Sequence, residues 1–243
     1  MTDHLRGLAG RAAGDEAPLL DAATVVLLRD RPDGFECLML RKTEAQAFGG
    51  LWVFPGGRVE ERDGTGLEGA RQAAVREAAE ETGLPLVAED LVPVAHWTPP
   101  PSAPRRYRTW FFVAAMPPGA LEVVVDGGEI GDHVWVRPAD ALDQHRQGQI
   151  ELLPPTWVTL RRLAPRASVA EALADAAASP VDRFVTDVRV DQDGTVVTVW
   201  DGDAAYSLTP SGQSGPGERT DLDTPGPRHR LIMDPAGWRY ERS

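Results

Sequence analysis

Apolar positions along this chain switch between a strand-like and a helix-like period. From Ala23 the run ATVVLLRD, a polar turn at Arg31-Pro-Asp-Gly34 and the run FECLMLRK predict a β-hairpin. FGGLWVFPGGRV follows as an apolar strand closed by Pro55-Gly56-Gly57, where two glycines after a proline call for a sharp bend or a close approach of backbone. The period then becomes helical. Thr65-Gly-Leu-Glu68 has capping-box spacing, with Thr65 as cap and Glu68 reaching back to it. The body ARQAAVREAAEET is dense in helix formers, and Gly83 supplies the left-handed residue that ends the helix.

Beyond the helix, LVPVAHWTPPPSAP ends in a Pro-rich loop, RYRTWFFVAA predicts a strand over Arg106 to Ala115, and LEVVV a shorter one. The loop DGGEIGD leads into the strand HVWV and a short helix near Pro138. Residues 156–178 read as helical with a break at Pro165. The tail carries two strand-like runs, VTDVRV and TVVTVW, joined through Asp191-Gln-Asp-Gly194. These patterns divide the chain into a flexible arm over residues 1–20, an α/β domain over 21–178 and a small β-rich extension over 179–243.

Charge narrows the function. Against 37 Asp and Glu the chain has 25 Lys and Arg, a net −12, and 24 of those basic residues are Arg, with Lys42 the sole lysine. An acidic surface disfavours duplex nucleic acid, whose binding releases counterions from a basic face. A phosphorylated small molecule stays accessible if metal ions stand between it and the carboxylates. One cysteine, Cys37, forbids an internal disulfide and a Cys-rich zinc site, and no apolar run is long enough for a membrane span. With no signal-like N-terminal segment, the expected location is the cytoplasm.

The predicted helix carries a carboxylate stripe. Glu77, Glu80 and Glu81 fall at i, i+3 and i+4 and share one face, where like charges repel. A hard divalent cation with oxygen ligands would relieve that repulsion. Ala70, Ala73 and Ala74 lie on the same side, where small side chains would leave room for a bulky ligand. A solvated acidic face partnered by Arg71 and Arg76 is the alternative for such a stripe.

Phe54-Pro-Gly-Gly57 followed by Arg76-Glu77-Ala-Ala-Glu80-Glu81-Thr-Gly83-Leu84 resembles the Nudix box, G-x5-E-x7-R-E-U-x-E-E-x-G-U with U aliphatic. Two departures stand out. Ten residues, instead of five, separate Gly57 from Glu68, while Glu68 keeps the x7 spacing to Arg76, and Ala78 replaces a larger aliphatic. The first box glutamate corresponds to Glu68 or, by loop position, to Asp63. The resemblance implies a Nudix α/β/α sandwich with a mixed sheet. It also implies Mg²⁺ or Mn²⁺ held by Glu77, Glu80 and Glu81, with the carbonyl of Gly56 or Gly57 as a further ligand. Arg76 would orient a box carboxylate by ion pairing, and water would attack a diphosphate in a nucleoside diphosphate derivative.

Glu129 is the first candidate for a catalytic base outside the box, with Asp126 and Asp132 as alternatives and an ordinary acidic turn as the plain reading. The lengthened box loop, WTPPPSAPRRYRTWFF and IELLPPTWVTLRRL are similar to the coenzyme A diphosphatase branch of the family and its bacterial relatives, which implies CoA or acyl-CoA as substrate. ADP-ribose, dinucleotides, damaged nucleotides or a non-catalytic nucleotide sensor are the competing readings. Arg41, Arg106 and Arg108 are candidates for substrate phosphates, against the reading of charged strand edges, and Lys42 divides in the same way. Thr156 reads as a helix cap, Cys37 as core, and Trp52, Trp97, Trp110, Trp135 and Trp157 as core aromatics ahead of adenine-stacking ones. A homodimer is compatible with all of these readings.

Overall fold

The computed structural model describes residues 17–43, 49–119, 123–125, 128–207 and 221–243. They divide into a larger unit of Asp21–His96 with Thr109–Asp182 and a smaller one of residues 17–20, Trp97–Arg108 and Arg183–Ser243.

In the larger unit, β1 (Leu19–Arg31) and β2 (Gly34–Lys42) form the predicted hairpin, closed at the Arg31–Gly34 pair. Positions 22–28 of β1 are buried without alternation, as befits a strand covered on both faces. The sheet runs β3 (Trp52–Val53), β2, β1, β6 (Arg106–Ala115), β5 (Val92–Thr98) and β8 (Asp182–Val185). Off this path, β4 (Gly56–Arg58) pairs with β1 and β7 (Ile130–Val136) with β2, completing a mixed sheet.

The single strand expected over FGGLWVFPGGRV is therefore two, broken at Phe54-Pro55. At the break, Pro55 turns its carbonyl to the Val25 N–H at 2.9 Å and to the Thr24 hydroxyl at 2.6 Å. Gly56 then crosses β1 so closely, at φ +154, that a Cβ there would lie 2.3 Å from the Ala23 carbonyl oxygen. Of LEVVV, residues 121–122 lie outside the described residues. Residues 123–125 are not a strand. Val123 enters the core, and the Val124 N–H caps the adjacent helix end at the Thr82 carbonyl, 3.0 Å away.

That helix, α1 (Gly66–Thr82), ends at Gly83 as predicted, with φ +71. Ala70, Ala73, Ala74 and Ala78 are 0% exposed and pack among Val25, Leu27, Leu38, Leu40 and Phe112. The alanine stripe thus sets a close helix-to-sheet approach, and the ligand space expected beside it does not exist. Thr65 is the N-cap residue, but its side chain makes no capping bond, and Glu68 is occupied outward by Gln72.

Helix α2 (Pro138–Arg146) begins at its predicted proline. α3 (Pro154–Leu163) and α4 (Val169–Ala178) are separated around Pro165. Leu153 is the N-cap of α3, not Thr156, because Pro154 and Pro155 occupy the first helical positions where no N–H is needed. A reciprocal cap does occur at α4, where the Glu171 N–H donates to Ser168 Oγ at 3.2 Å and the Ala167 N–H to Glu171 at 2.8 Å. Among the described residues no helix is long and apolar enough to cross a membrane.

The smaller unit follows β8 (Asp182–Val185) with an antiparallel sheet of β9 (Asp187–Val190), β10 (Val196–Val199), β11 (His229–Asp234) and β12 (Gly237–Arg242), ordered β12-β11-β10-β9. VTDVRV is split at Thr186, whose N–H turns to the Thr98 carbonyl at 3.0 Å. Trp97 stacks on Phe184 at 3.7 Å with Trp200 edge-on at 5.6 Å, which makes Trp97 a core aromatic.

Beside this cluster Asp203 accepts from Arg230 at 2.7 and 2.6 Å and from the His229 and Ala205 N–H groups, both at 2.9 Å. Burial pushes this carboxyl up, but the hydrogen bonds outweigh it and hold it at about 2. A carboxyl held low in the folded state stabilises the fold fully above its unfolded value and loses that contribution as pH falls through the folded one. Urea unfolding from pH 7 to pH 2 should therefore show an acid-side loss of stability between about pH 4 and 2 that is diminished in Asp203→Asn.

Candidate active site

Because α1 lies so close to the sheet, the carboxylates on its sheet-facing side meet backbone and not solvent. Glu81, one turn below Ala78, is 4% exposed. Its Oε2 accepts the Gly56 N–H at 2.8 Å and its Oε1 accepts from Lys42 Nζ, at the end of β2, at 3.2 Å. Burial still dominates and pushes this carboxyl up to about 7 against the pull of both donors. Glu77 lies against Gly57, where an added Cβ would come within 2.3–2.5 Å of its carboxyl atoms. Burial raises its pKa as well, opposed by Arg76.

Arg76 ties the rest together. Nη1 donates to Glu77 at 2.8 Å and to the more exposed Glu80 at 3.2 Å. Nε and Nη2 grip both oxygens of Asp63 at 3.1 and 2.9 Å, and Nη2 also reaches the Arg58 carbonyl at 2.9 Å. Hydrogen bonding from Arg76 holds the Asp63 carboxyl below the usual carboxylate range. In turn, Asp63 accepts the Glu60 N–H at 2.8 Å across a 3-10 turn, Glu61–Asp63, which presents it to the arginine.

The donor chemistry fits a hard divalent cation. Glu77, Glu80 and Glu81 offer oxygen ligands beside the Gly56-Gly57 backbone, and burial of two of them creates a demand for positive charge. In this arrangement Arg76 and Lys42 meet that demand, and no three acidic or His side chains converge on one point among the described residues.

Residues 18–155 match the NUDIX domain family, more than half of the chain. The chain belongs to the Nudix family. It is accordingly a Nudix-type pyrophosphohydrolase, of a family that generally uses divalent cations. Among solved structures it is similar to a NUDIX hydrolase from Alicyclobacillus acidocaldarius, with 21% identity over 68% of this chain and 99% of that one and a TM-score of 0.60, a likeness of fold. Further similar structures are a C. elegans Ap4A hydrolase binary complex (23% identity, 58% of this chain and 93% of that one, TM-score 0.44) and the NUDIX domain of Shewanella oneidensis NrtR complexed with ADP ribose (21%, 66% and 96%, TM-score 0.46). No curated protein matches the sequence.

Within the Nudix box, the geometry separates the two candidates for its first acidic position. Asp63 is bound to Arg76 through both oxygens, whereas the Glu68 side chain is 71% exposed and 4.0 Å from Arg71. Asp63 is therefore the candidate that the structure brings to Arg76, and the x7 spacing of Glu68 to Arg76 does not place it among the partners of that arginine. Counting from Gly57 carries the same signal, since five residues separate Gly57 from Asp63.

Of the outlying candidates, Glu129 lies 3.8 Å from Lys42 Nζ with a largely exposed side chain. Asp132 is exposed and accepts the His133 N–H at 2.8 Å, and Asp126 lies outside the described residues. Arg41 is exposed and alternates with Lys42 along β2, which places the two side chains on opposite faces of the strand. Arg106, which is buried, and Arg108 belong to the smaller unit. Lys42 is the residue whose contact with Glu81 spacing alone did not reveal.

Removing the anchor should loosen the box. Asp63→Asn is expected to lower kcat by about tenfold or more, as charge-assisted bonds to Arg76 are lost, while Glu68→Gln stays within about twofold of wild type. Steady-state kinetics on any turned-over diphosphate decide it, and a larger effect at Glu68 would reverse the assignment. Gly57→Ala should displace the Glu77 carboxyl and abolish turnover with little change in unfolding midpoint, which a thermal melt checks alongside the assay.

Proposed function

We propose that this chain hydrolyses the diphosphate linkage of a nucleoside diphosphate derivative using Mg²⁺ or Mn²⁺, with CoA or acyl-CoA as the substrate. The observation that carries the reaction class is the box helix itself. Arg76 holds Asp63, Glu77 and Glu80 in one network while the Gly56 N–H fixes the buried Glu81. Glu77, Glu80 and Glu81 would hold the cation, with the Gly57 carbonyl as a further ligand. Bound there, it would neutralise the phosphates and lower the pKa of an attacking water.

The remaining chemistry falls to the chain's own groups. Water adds to one phosphorus, the bridging P–O bond breaks, and the proton leaves to a carboxylate. Glu129 is the base in this reading, on the loop before β7 and within reach of the ammonium of Lys42. From CoA the products would be phosphopantetheine and adenosine 3′,5′-bisphosphate. Choice of CoA rests on the sequence likeness of the lengthened box loop and of the segments around Arg106 and Trp157 to the CoA diphosphatase branch. Retention of all three box glutamates weighs against a sensor that binds a nucleotide without turnover.

The test is incubation with Mg²⁺ or Mn²⁺ and CoA, acyl-CoA, ADP-ribose, NADH, diadenosine polyphosphates and dNTPs, with products identified by mass and Glu80→Gln as control. Phosphopantetheine from CoA, absent in the control, is the expected result. Turnover of another diphosphate would replace the substrate and keep the mechanism, and nucleotide binding without any turnover would favour the sensor.

A further inference from the structure

The end of β2 is tied to the loop that carries Glu129. Arg41 pairs with Asp132 of β7, but Lys42 pairs with Ile130, so Gly131 is an extra residue that forms a bulge. Just beyond it, the Thr43 N–H donates to the Glu129 carbonyl at 3.0 Å and the Thr43 hydroxyl to the Gly128 carbonyl at 3.2 Å. The Lys42 side chain, 16% exposed, is left between two carboxylates, 3.2 Å from Glu81 Oε1 and 3.8 Å from Glu129 Oε2.

Glu81 has one oxygen committed to the Gly56 N–H, which leaves Oε1 as the atom free for a cation, and Lys42 sits on it. A divalent ion and an ammonium cannot share that oxygen without strong repulsion. We propose that Lys42 is a resident counter-ion of Glu81 that must release it for the catalytic divalent cation to enter, passing to Glu129 as its second partner. This rests on the reading of Glu81 as a metal ligand. Lys42 is thereby a positioning residue that links occupancy of the box to the loop bearing Glu129.

The residue type suits the role. Lys42 is the sole lysine, and the other 24 residues of the Lys and Arg total are arginines. A guanidinium such as that of Arg76 grips its partners through a planar fork, whereas an ammonium on a flexible stem moves between neighbouring acceptors as a point charge.

A sole lysine also makes the test direct. Protein labelled with ¹³Cε-lysine has a single lysine side-chain signal, and titration with Mg²⁺ alone should shift it saturably in the wild type and leave it unmoved in Glu81→Gln. In parallel, Mn²⁺ binding followed by the electron-paramagnetic signal of the free ion should tighten about tenfold in Lys42→Met, since a competing charge is removed. Lys42→Arg, which keeps the charge but holds Glu81 through a planar fork, should bind Mn²⁺ no more tightly than wild type. An unmoved lysine signal at saturating Mg²⁺ overturns the proposal and needs no variant that might misfold. So does equal or weaker Mn²⁺ binding in Lys42→Met, provided the wild type binds Mn²⁺ and Glu81→Gln has lost it. A wild type that binds no Mn²⁺ overturns the metal reading of the box and the proposal with it.

Discussion

The distance between α1 and the sheet governs the active site. Four alanines with no exposed surface let the helix backbone approach β1 and β2, while Gly56 lies against β1 and Gly57 against the Glu77 side chain of the helix. A larger residue at any of the four alanines would force the layers apart, since a close-packed interior has no spare volume to absorb it. The approach buries Glu81 and half-buries Glu77, and burial raises the proton affinity of both. Their chemistry is thus a consequence of packing.

Buried carboxylates are costly unless paired, and the box pairs them in two ways. Arg76 serves as a fixed hub, its guanidinium satisfied by Asp63, Glu77, Glu80 and the Arg58 carbonyl together. Lys42 serves as a compact charge at a single oxygen of Glu81. The hub orients three acidic side chains at once, and the point charge neutralises one buried oxygen.

Much of this was legible in the sequence because the governing rules are local. Strong helix formers, a terminal glycine and a turn between two apolar runs located α1 and the first hairpin to within a few residues. The i, i+3, i+4 stripe singled out the three glutamates. What spacing could not show depended on tertiary contact. The alanines read as room for a ligand until the sheet was placed against them. Glu68 and Asp63 both fitted the box until a 3-10 turn aimed one of them at Arg76. Arg41 and Lys42 were indistinguishable as neighbouring cations, and strand alternation then gave one to solvent and the other to Glu81. Phe54-Pro55 broke an apolar run that hydropathy alone read as continuous, because the Pro55 carbonyl and Gly56 are drawn onto β1.

The smaller unit draws on stretches that are far apart along the chain, among them Trp97–Arg108 and Arg183–Ser243. Trp97 finds its stacking partner only when Phe184 arrives, and Trp200 later still. During synthesis the intervening residues, which belong to the larger unit, emerge from the ribosome first. A large tryptophan surface therefore waits uncovered while its neighbours in sequence fold, and loop closure across that interval has to precede the reward of contact. The smaller unit is in this sense the late step of folding, and a fragment beginning at Arg183 would lack one wall of its own core.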